Sequence, residues 1–118
     1  GINYFNIDNI HFDFGHTNIR KDAAVQLAKI VAFLEENPSL NIIVKVHTDS
    51  RGNDKYNREL TETQAKSIEQ WLIKRGIASH RIIAKGYGAT QLVNGCEKGV
   101  PCTEEEHQAN KRVEFIVD

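Results

Sequence analysis

An acidic residue at the end of a predicted strand is the first feature of the sequence that could do chemistry. Asp49 follows an alternating apolar segment that ends at His47, and turn-forming residues come directly after it. A carboxylate in this place can accept charge-assisted hydrogen bonds from a ligand ammonium. It can equally be an ordinary Asx-turn or helix-capping acid. The pattern alone leaves both interpretations open.

Histidines near acids raise the question of a metal site. His11 with Asp13, and His47 with Asp49, have the spacing that puts two ligands on one face of a strand. Neither pair is completed by a His-Glu-x-x-His helix or by another close pair. Nucleophile-elbow, phosphate-loop and dinucleotide-binding glycine patterns are also missing. We therefore expect no metal, no cofactor and no enzymatic activity.

The two cysteines lie close together in a segment rich in Gly, Pro and charge. Cys96 and Cys102 can close a disulfide there, and free thiols are the main alternative. Two sulfurs with the nearby His107 are too few ligands for a structural zinc site. A disulfide would indicate an oxidising compartment such as the periplasm.

Composition and charge indicate one ordinary globular domain. The chain has 118 residues, of which 40% are hydrophobic and 26% charged, and its net charge is −1. It has no basic stripe for nucleic acid and no apolar run near the roughly 20 residues that a membrane-spanning helix needs. Because the chain starts at Gly1 and contains no methionine, we expect a domain excised from a longer protein. Any membrane attachment would come from the missing N-terminal portion.

Hydrophobic periodicity predicts the elements that position these residues. The expected order is strand, helix, strand, helix, strand, strand, with Gly86-Tyr87-Gly88 as the turn after the third strand. The elements are residues 10–14, a helix that ends at Asn37-Pro38, 42–47, about 56–75, 81–85 and 111–117. The inner stripes of the helices are Ala24, Leu27, Val31 and Leu34, then Thr61, Ala65, Ile68 and Leu72. Helices after the first two strands indicate an α+β two-layer sandwich with both main helices on one face.

Five segments, in the same order, resemble the OmpA-like family of peptidoglycan-binding domains. The strongest match starts at Thr48-Asp49 and continues with Gly52, Asn57 and Leu60 at the family's spacing. The other segments are Phe12-Asp13-Phe14, Arg75-Gly76-Ile77, Gly86-Tyr87-Gly88 and Asn110-Lys111-Arg112-Val113-Glu114. The tail from Cys96 to Phe115 resembles the variant found in Bacteroidetes. The resemblance implies a βαβαββ mixed sheet and one domain over residues 1–118.

The same resemblance implies a non-catalytic function. Such a module holds an outer-membrane protein to the Gram-negative cell wall, at the periplasmic face of the outer membrane. Its partner is the peptidoglycan stem peptide, whose meso-diaminopimelate carries an ammonium and a carboxylate on one carbon. The resemblance implies that the carboxylate of Asp49 binds the ligand ammonium. The implied ligand-binding residues are Gly15, His16, Thr17, Thr48, Asp49, Asn57, Gln64, Lys111 and Arg112.

One position departs from the family pattern, because Gln64 stands where the family has the arginine that binds the ligand carboxylate. An uncharged amide is a weaker donor, so the affinity falls by about an order of magnitude or another donor compensates. Lys111, Arg112 and the backbone amides at the start of the second helix are the candidates. Gln64 could also be a solvated helix residue, and Arg112 a structural ion-pair partner.

Two questions stay open at this level. Asn57 should lie on the same side of the second helix as Gln64, two turns earlier, and there it either binds ligand or braces the loop. The alternative function is a protein-interaction module of the same fold whose ligand pocket has decayed. The change at Gln64 would be the sign of that decay.

Overall fold

The computed structural model describes residues 9–118, so the predicted domain of residues 1–118 begins outside the described part. Along the chain the elements are α1 (Lys21–Glu36), β1 (Ile42–His47), α2 (Asp54–Lys74), a short 3-10 helix (Ser79–Arg81), β2 (Ile82–Gly88), α3 (Glu104–Gln108) and β3 (Arg112–Val117). Of the helices within this range, none is both long and apolar enough to cross a bilayer.

The described sheet is mixed, with the strand order β2-β1-β3. β1 runs parallel to β2 and antiparallel to β3. Helix α2 makes the crossover between the parallel strands, as a parallel connection requires. This arrangement confirms the predicted α+β fold class.

One apolar core lies between the sheet and the two long helices. Ile42, Val44 and Val46 of the central strand are buried, so one face of β1 points into it. The predicted inner stripe of α2 is buried in full: Thr61, Ala65, Ile68 and Leu72. The buried residues of α1 are Ala23, Leu27, Ile30, Val31 and Leu34, so its stripe contains Ala23 rather than the predicted Ala24. Both main helices therefore cover the same face.

Residues 10–14 do not form the predicted first strand. Ile10 is buried and Phe12 packs against the core. The backbone then turns, because the amide of His16 donates a 2.9 Å hydrogen bond to the carbonyl of Asp13. The turn leaves the ring of Phe14 90% exposed. The alternation in the sequence thus reflects one buried and one partly buried side chain before a turn, not a strand.

The segment Gly86-Tyr87-Gly88 is the end of β2 and not the turn that the sequence predicts. Gly86 pairs with Val46, and Gly88 pairs with His47 after a shift in register. A Cβ on Gly86 would lie 2.1 Å from the backbone nitrogen of Glu62. Helix α2 therefore crosses β2 where no side chain separates the two backbones, and Gly86 serves this packing.

Arg81 fastens the end of α1 to the start of the sheet. Its guanidinium donates hydrogen bonds to the carbonyls of Leu34, Asn37 and Leu40 at 2.7–3.0 Å. These carbonyls belong to the last turn of α1 and to the connection that follows, where the helix leaves its acceptors without partners. Arg81 is thus a structural residue.

Candidate functional site

A cavity of about 650 Å³ opens at the C-terminal end of β1. Its walls come from residues 10–15, the loop between β1 and α2 (residues 48–53, the ligand loop), the N-terminal half of α2, α3 and the start of β3. Of the predicted ligand-binding residues, those that line the cavity are Gly15, Thr48, Asp49, Asn57, Gln64, Lys111 and Arg112. His16 and Thr17 do not line it.

Asp49 is the buried carboxylate of this cavity, with a side chain only 4% exposed. Its Oδ1 accepts a 2.9 Å hydrogen bond from the backbone amide of Arg51, and its Oδ2 a 2.8 Å bond from Nη2 of that residue. The Nζ of Lys111 lies 3.7 Å from Oδ2. Burial alone would raise the pKa of Asp49, but the hydrogen bonds from Arg51 and the charges of Arg51 and Lys111 hold the pKa below its usual value. The carboxylate is therefore ionised and able to bind a cation.

The ligand loop is held from two sides. The side chain of Asn57 is buried in the first turn of α2 and donates a 2.9 Å hydrogen bond to the carbonyl of Arg51. The hydroxyl of Ser50 donates a 2.6 Å hydrogen bond to the carbonyl of Cys96. Of the two roles predicted for Asn57, the bracing bond is thus present, and ligand contact stays a prediction.

Gln64 lies on the same side of α2 as Asn57 and is only 7% exposed, so it is not a solvated helix residue. Its Nε2 donates a 3.0 Å hydrogen bond to the carbonyl of His16. His16 therefore joins the site through its backbone carbonyl, although it does not line the cavity. The amide of Gln64 supports the turn that carries Gly15, whose φ of 72° suits glycine.

The two basic residues at the start of β3 have different partners. Lys111 faces the carboxylate of Asp49. Arg112 donates a 2.7 Å hydrogen bond to the carbonyl of Gln91, and its Nη2 lies 3.6 Å from the carboxylate of Glu114. The structural ion pair predicted for Arg112 is therefore present, whereas Lys111 lies at the Asp49 end of the cavity.

Sequence reasoning missed two charged residues of the site. The Nη1 of Arg51 lies 2.6 Å from Oε2 of Glu104, while the same guanidinium is bonded to Asp49. The hydrogen bond from Arg51 lowers the pKa of Glu104 to about 2. Glu104 begins α3, a helix that was also missed. A signal for that helix exists, because Thr103 and Glu106 form a capping box whose Thr-x-x-Glu pattern is visible in the sequence.

The segment between β2 and α3 (residues 89–103, the cysteine loop) is closed by the predicted disulfide between Cys96 and Cys102. The buried side chain of Asn110 ties this loop to β3, since its Oδ1 accepts from the amide of Val93 and its Nδ2 donates to Asn94. Glu106 lies close to both sulfurs, the arrangement of a possible metal site in this part of the chain. Because the sulfurs are bonded to each other, they are not thiolate ligands.

His47, half of one of the two pairs considered for a metal site, borders the cavity as a buried residue. Its side chain is fully buried, its ring stacks on Tyr87 with centroids 5.4 Å apart, and its Nε2 lies 2.5 Å from Glu114 Oε1. Burial and the charge of Arg112 lower the pKa of His47, and they outweigh the opposite effect of Glu114. The imidazole therefore serves as a neutral packing group at neutral pH.

Comparison with known proteins finds one matching family model, and curated relatives that include outer-membrane and peptidoglycan-associated proteins. The model of the OmpA family matches residues 11–104. Over 110 residues the chain is 33% identical to outer membrane porin F of Pseudomonas fluorescens, covering 93% of the chain and 32% of the porin. Over 102 residues it is 31% identical to the peptidoglycan-associated lipoprotein of Mesorhizobium japonicum, covering 86% of the chain and 60% of the lipoprotein.

A solved structure shows the same fold. The crystal structure of the peptidoglycan-associated lipoprotein from Burkholderia pseudomallei superposes with a TM-score of 0.80 at 21% identity, over 93% of the chain and 89% of the other. The curated relatives are longer, since the chain spans less than two thirds of the porin or of the Mesorhizobium lipoprotein.

Proposed function

The chain belongs to the OmpA family, and from that premise we propose that it binds peptidoglycan and so anchors an outer-membrane protein to the cell wall. The relatives described above carry the names of a porin and of a peptidoglycan-associated lipoprotein, not of enzymes, which agrees with the predicted lack of catalysis. One relative is named for its association with peptidoglycan and another for the outer membrane. The proposed location is the periplasmic face of that membrane, where a disulfide is stable.

The proposed ligand is the free end of meso-diaminopimelate in the stem peptide. The observation that supports it is an ionised, buried carboxylate with an ammonium beside it in an open cavity. Asp49 would accept hydrogen bonds from the ligand ammonium, while the charge of Lys111 would attract the ligand carboxylate. Charge-assisted hydrogen bonds of this kind contribute about 1.5 to 3 kcal/mol each.

The remaining predicted residues would complete the pocket. We propose ligand contacts from the backbone of Gly15 and from the side chains of Thr48 and Asn57, all of which line the cavity. Gln64 would act through the carbonyl of His16, by holding the turn before it. Ligand contact by Thr17 stays a prediction, and Thr17 does not line the cavity.

Co-sedimentation with purified diaminopimelate-type cell-wall sacculi tests this function. The parent domain should sediment with the sacculi, and Asp49→Asn should stay in the supernatant because it keeps the side-chain shape and loses the charge. Asp54→Asn is the matched control, since Asp54 is an exposed acid paired with Lys98 near the same loop. If Asp49→Asn sediments as well as Asp54→Asn does, the carboxylate does not bind the wall.

The competing hypothesis is an interaction module whose ligand pocket has decayed. One observation favours it: Asp49 already has Arg51 as a partner, and the amide of Gln64 is engaged with His16. A ligand would have to compete with these internal contacts. Failure of the parent domain to sediment with sacculi would favour this hypothesis over wall binding.

A further inference from the structure

We infer that Arg51 binds the carboxylate of the zwitterion, in place of the arginine that is absent at position 64; this assignment rests on the proposed function. The two charges of the ligand sit on one carbon, so its carboxylate must lie beside the ammonium that Asp49 holds. The cation that binds it must therefore border Asp49. Among the described residues, the arginines and lysines that line the cavity are Arg51, Lys111 and Arg112.

Two of the donors considered from the sequence are engaged elsewhere. The guanidinium of Arg112 donates to the carbonyls of Asn110 and Gln91 and is mostly buried. The amide of Gln64 donates to the carbonyl of His16. Neither group can turn to a ligand without giving up these hydrogen bonds.

Arg51 and Lys111 both border Asp49, but they offer different chemistry. The Nη2 of Arg51 is 2.8 Å from Oδ2 of Asp49, whereas the Nζ of Lys111 is 3.7 Å from the same oxygen. A guanidinium is a planar fork that matches a carboxylate with two parallel hydrogen bonds, whereas an ammonium is a point charge. Lys111 therefore adds positive charge to the site, whereas Arg51 can also orient a carboxylate through two hydrogen bonds.

Glu104 already occupies the fork of Arg51 in the way that a ligand carboxylate would. Its Oε2 lies 2.6 Å from Nη1 and its Oε1 lies 3.3 Å from Nη2, so both oxygens face the guanidinium. The side chain of Glu104 is 63% exposed and that of Arg51 46% exposed. Because an exposed ion pair contributes little to stability, Glu104 can return to water when another carboxylate takes its place.

The test compares two synthetic tripeptides, L-Ala-γ-D-Glu-meso-diaminopimelate and the same peptide with L-lysine as the third residue. They differ in the one carboxylate that Arg51 is assigned to bind. By calorimetric titration the parent should bind the diaminopimelate peptide about tenfold more tightly. Arg51→Gln should remove most of that preference and should not weaken binding of the lysine peptide. Arg58→Gln, which removes an exposed arginine of α2, should keep the preference.

A second variant separates ligand binding from a purely structural role of the ion pair. Glu104→Gln removes the competing carboxylate, so it should tighten binding of the diaminopimelate peptide several-fold and leave the lysine peptide unchanged. Its matched control is Glu105→Gln, which removes an exposed acid next to it in α3. The assignment would be overturned if Arg51→Gln kept the parent's preference for the diaminopimelate peptide. It would also be overturned if Glu104→Gln weakened binding of that peptide. If the parent binds neither peptide, the proposed function itself fails, and the Arg51 assignment with it.

Discussion

The hydroxyl of Ser50 and the carbonyl of Cys96 are joined by a 2.6 Å hydrogen bond that links the ligand loop to the cysteine loop. Ser50 is buried and directly follows Asp49. The cysteine loop is in turn closed by the disulfide and tied to β3 through Asn110. Asp49 is thus linked, through its neighbour Ser50, to a loop that a disulfide closes.

Opening the disulfide should weaken both the fold and the ligand site. The double variant Cys96→Ser, Cys102→Ser should lower the free energy of unfolding by about 2 kcal/mol, the entropy contribution of closing a loop this short. It should also lower the affinity for sacculi, because Ser50 loses a fixed partner. Thermal unfolding with and without reductant is the measurement. Reductant should shift the parent to the variant's midpoint and leave the variant unchanged; equal midpoints without reductant would contradict the account.

A methyl group at Gly86 should be poorly tolerated. Gly86→Ala would place Cβ 2.1 Å from the backbone of Glu62, so α2 must move away from the sheet. We expect a loss of about 2 kcal/mol or more in chemical denaturation, at the upper part of the usual range for overpacking. Gly95→Ala is the control, since nothing lies within 4 Å of its added Cβ. Similar stabilities for the two variants would show that α2 and β2 pack less closely at Gly86 than described.

Stability should depend on pH through His47. Burial and the charge of Arg112 lower its pKa below the ordinary 6.5, so the unfolded chain takes up a proton more readily than the folded one. The contribution of neutral His47 to the free energy of unfolding should therefore be complete above pH 6.5. The free energy of unfolding should fall as the pH drops from 6.5 through the folded-state pKa. Urea unfolding across this range measures the slope. His47→Gln should flatten it, whereas His80→Gln, at an exposed position before β2, should not.

The Arg51–Glu104 pair is exposed, so it predicts only a small further loss of stability at lower pH. The folded-state pKa of Glu104 is about 2 against an ordinary 4.5, so its contribution is present above pH 4.5 and is lost as the pH falls through about 2. The pKa of Asp49 is lowered as well, which acts in the same direction. The free energy of unfolding should change less between pH 4.5 and pH 2 for Glu104→Gln than for Glu105→Gln. Equal differences would mean that the pair does not persist in solution.

The elements that bury a stripe of side chains were predictable from the sequence. The spacing of Thr61, Ala65, Ile68 and Leu72 predicts α2, since a helix of that register has only one apolar face to bury. The same rule failed at residues 10–14. There the alternation requires only that Ile10 and Phe12 pack against the core, and it carries no information on the turn that follows.

The charged contacts of the site could be predicted only in part. The family resemblance directs attention to Asp49 and Lys111, which the fold does bring together. Arg51 and Glu104 are 53 residues apart in sequence, and no local pattern indicates that α3 lies against the ligand loop. Similarly, the role of Gln64 depends on a backbone carbonyl in a loop distant in sequence, which only the fold reveals.

The most direct measurement of the central claim is calorimetric titration of the domain with free meso-diaminopimelate, for the parent, Asp49→Asn and Asp54→Asn. The account predicts saturable binding by the parent and by Asp54→Asn. It predicts that Asp49→Asn weakens binding by at least about tenfold, the effect of losing one charge-assisted hydrogen bond. Binding by the parent that survives Asp49→Asn unchanged, or no binding by the parent at all, would contradict it.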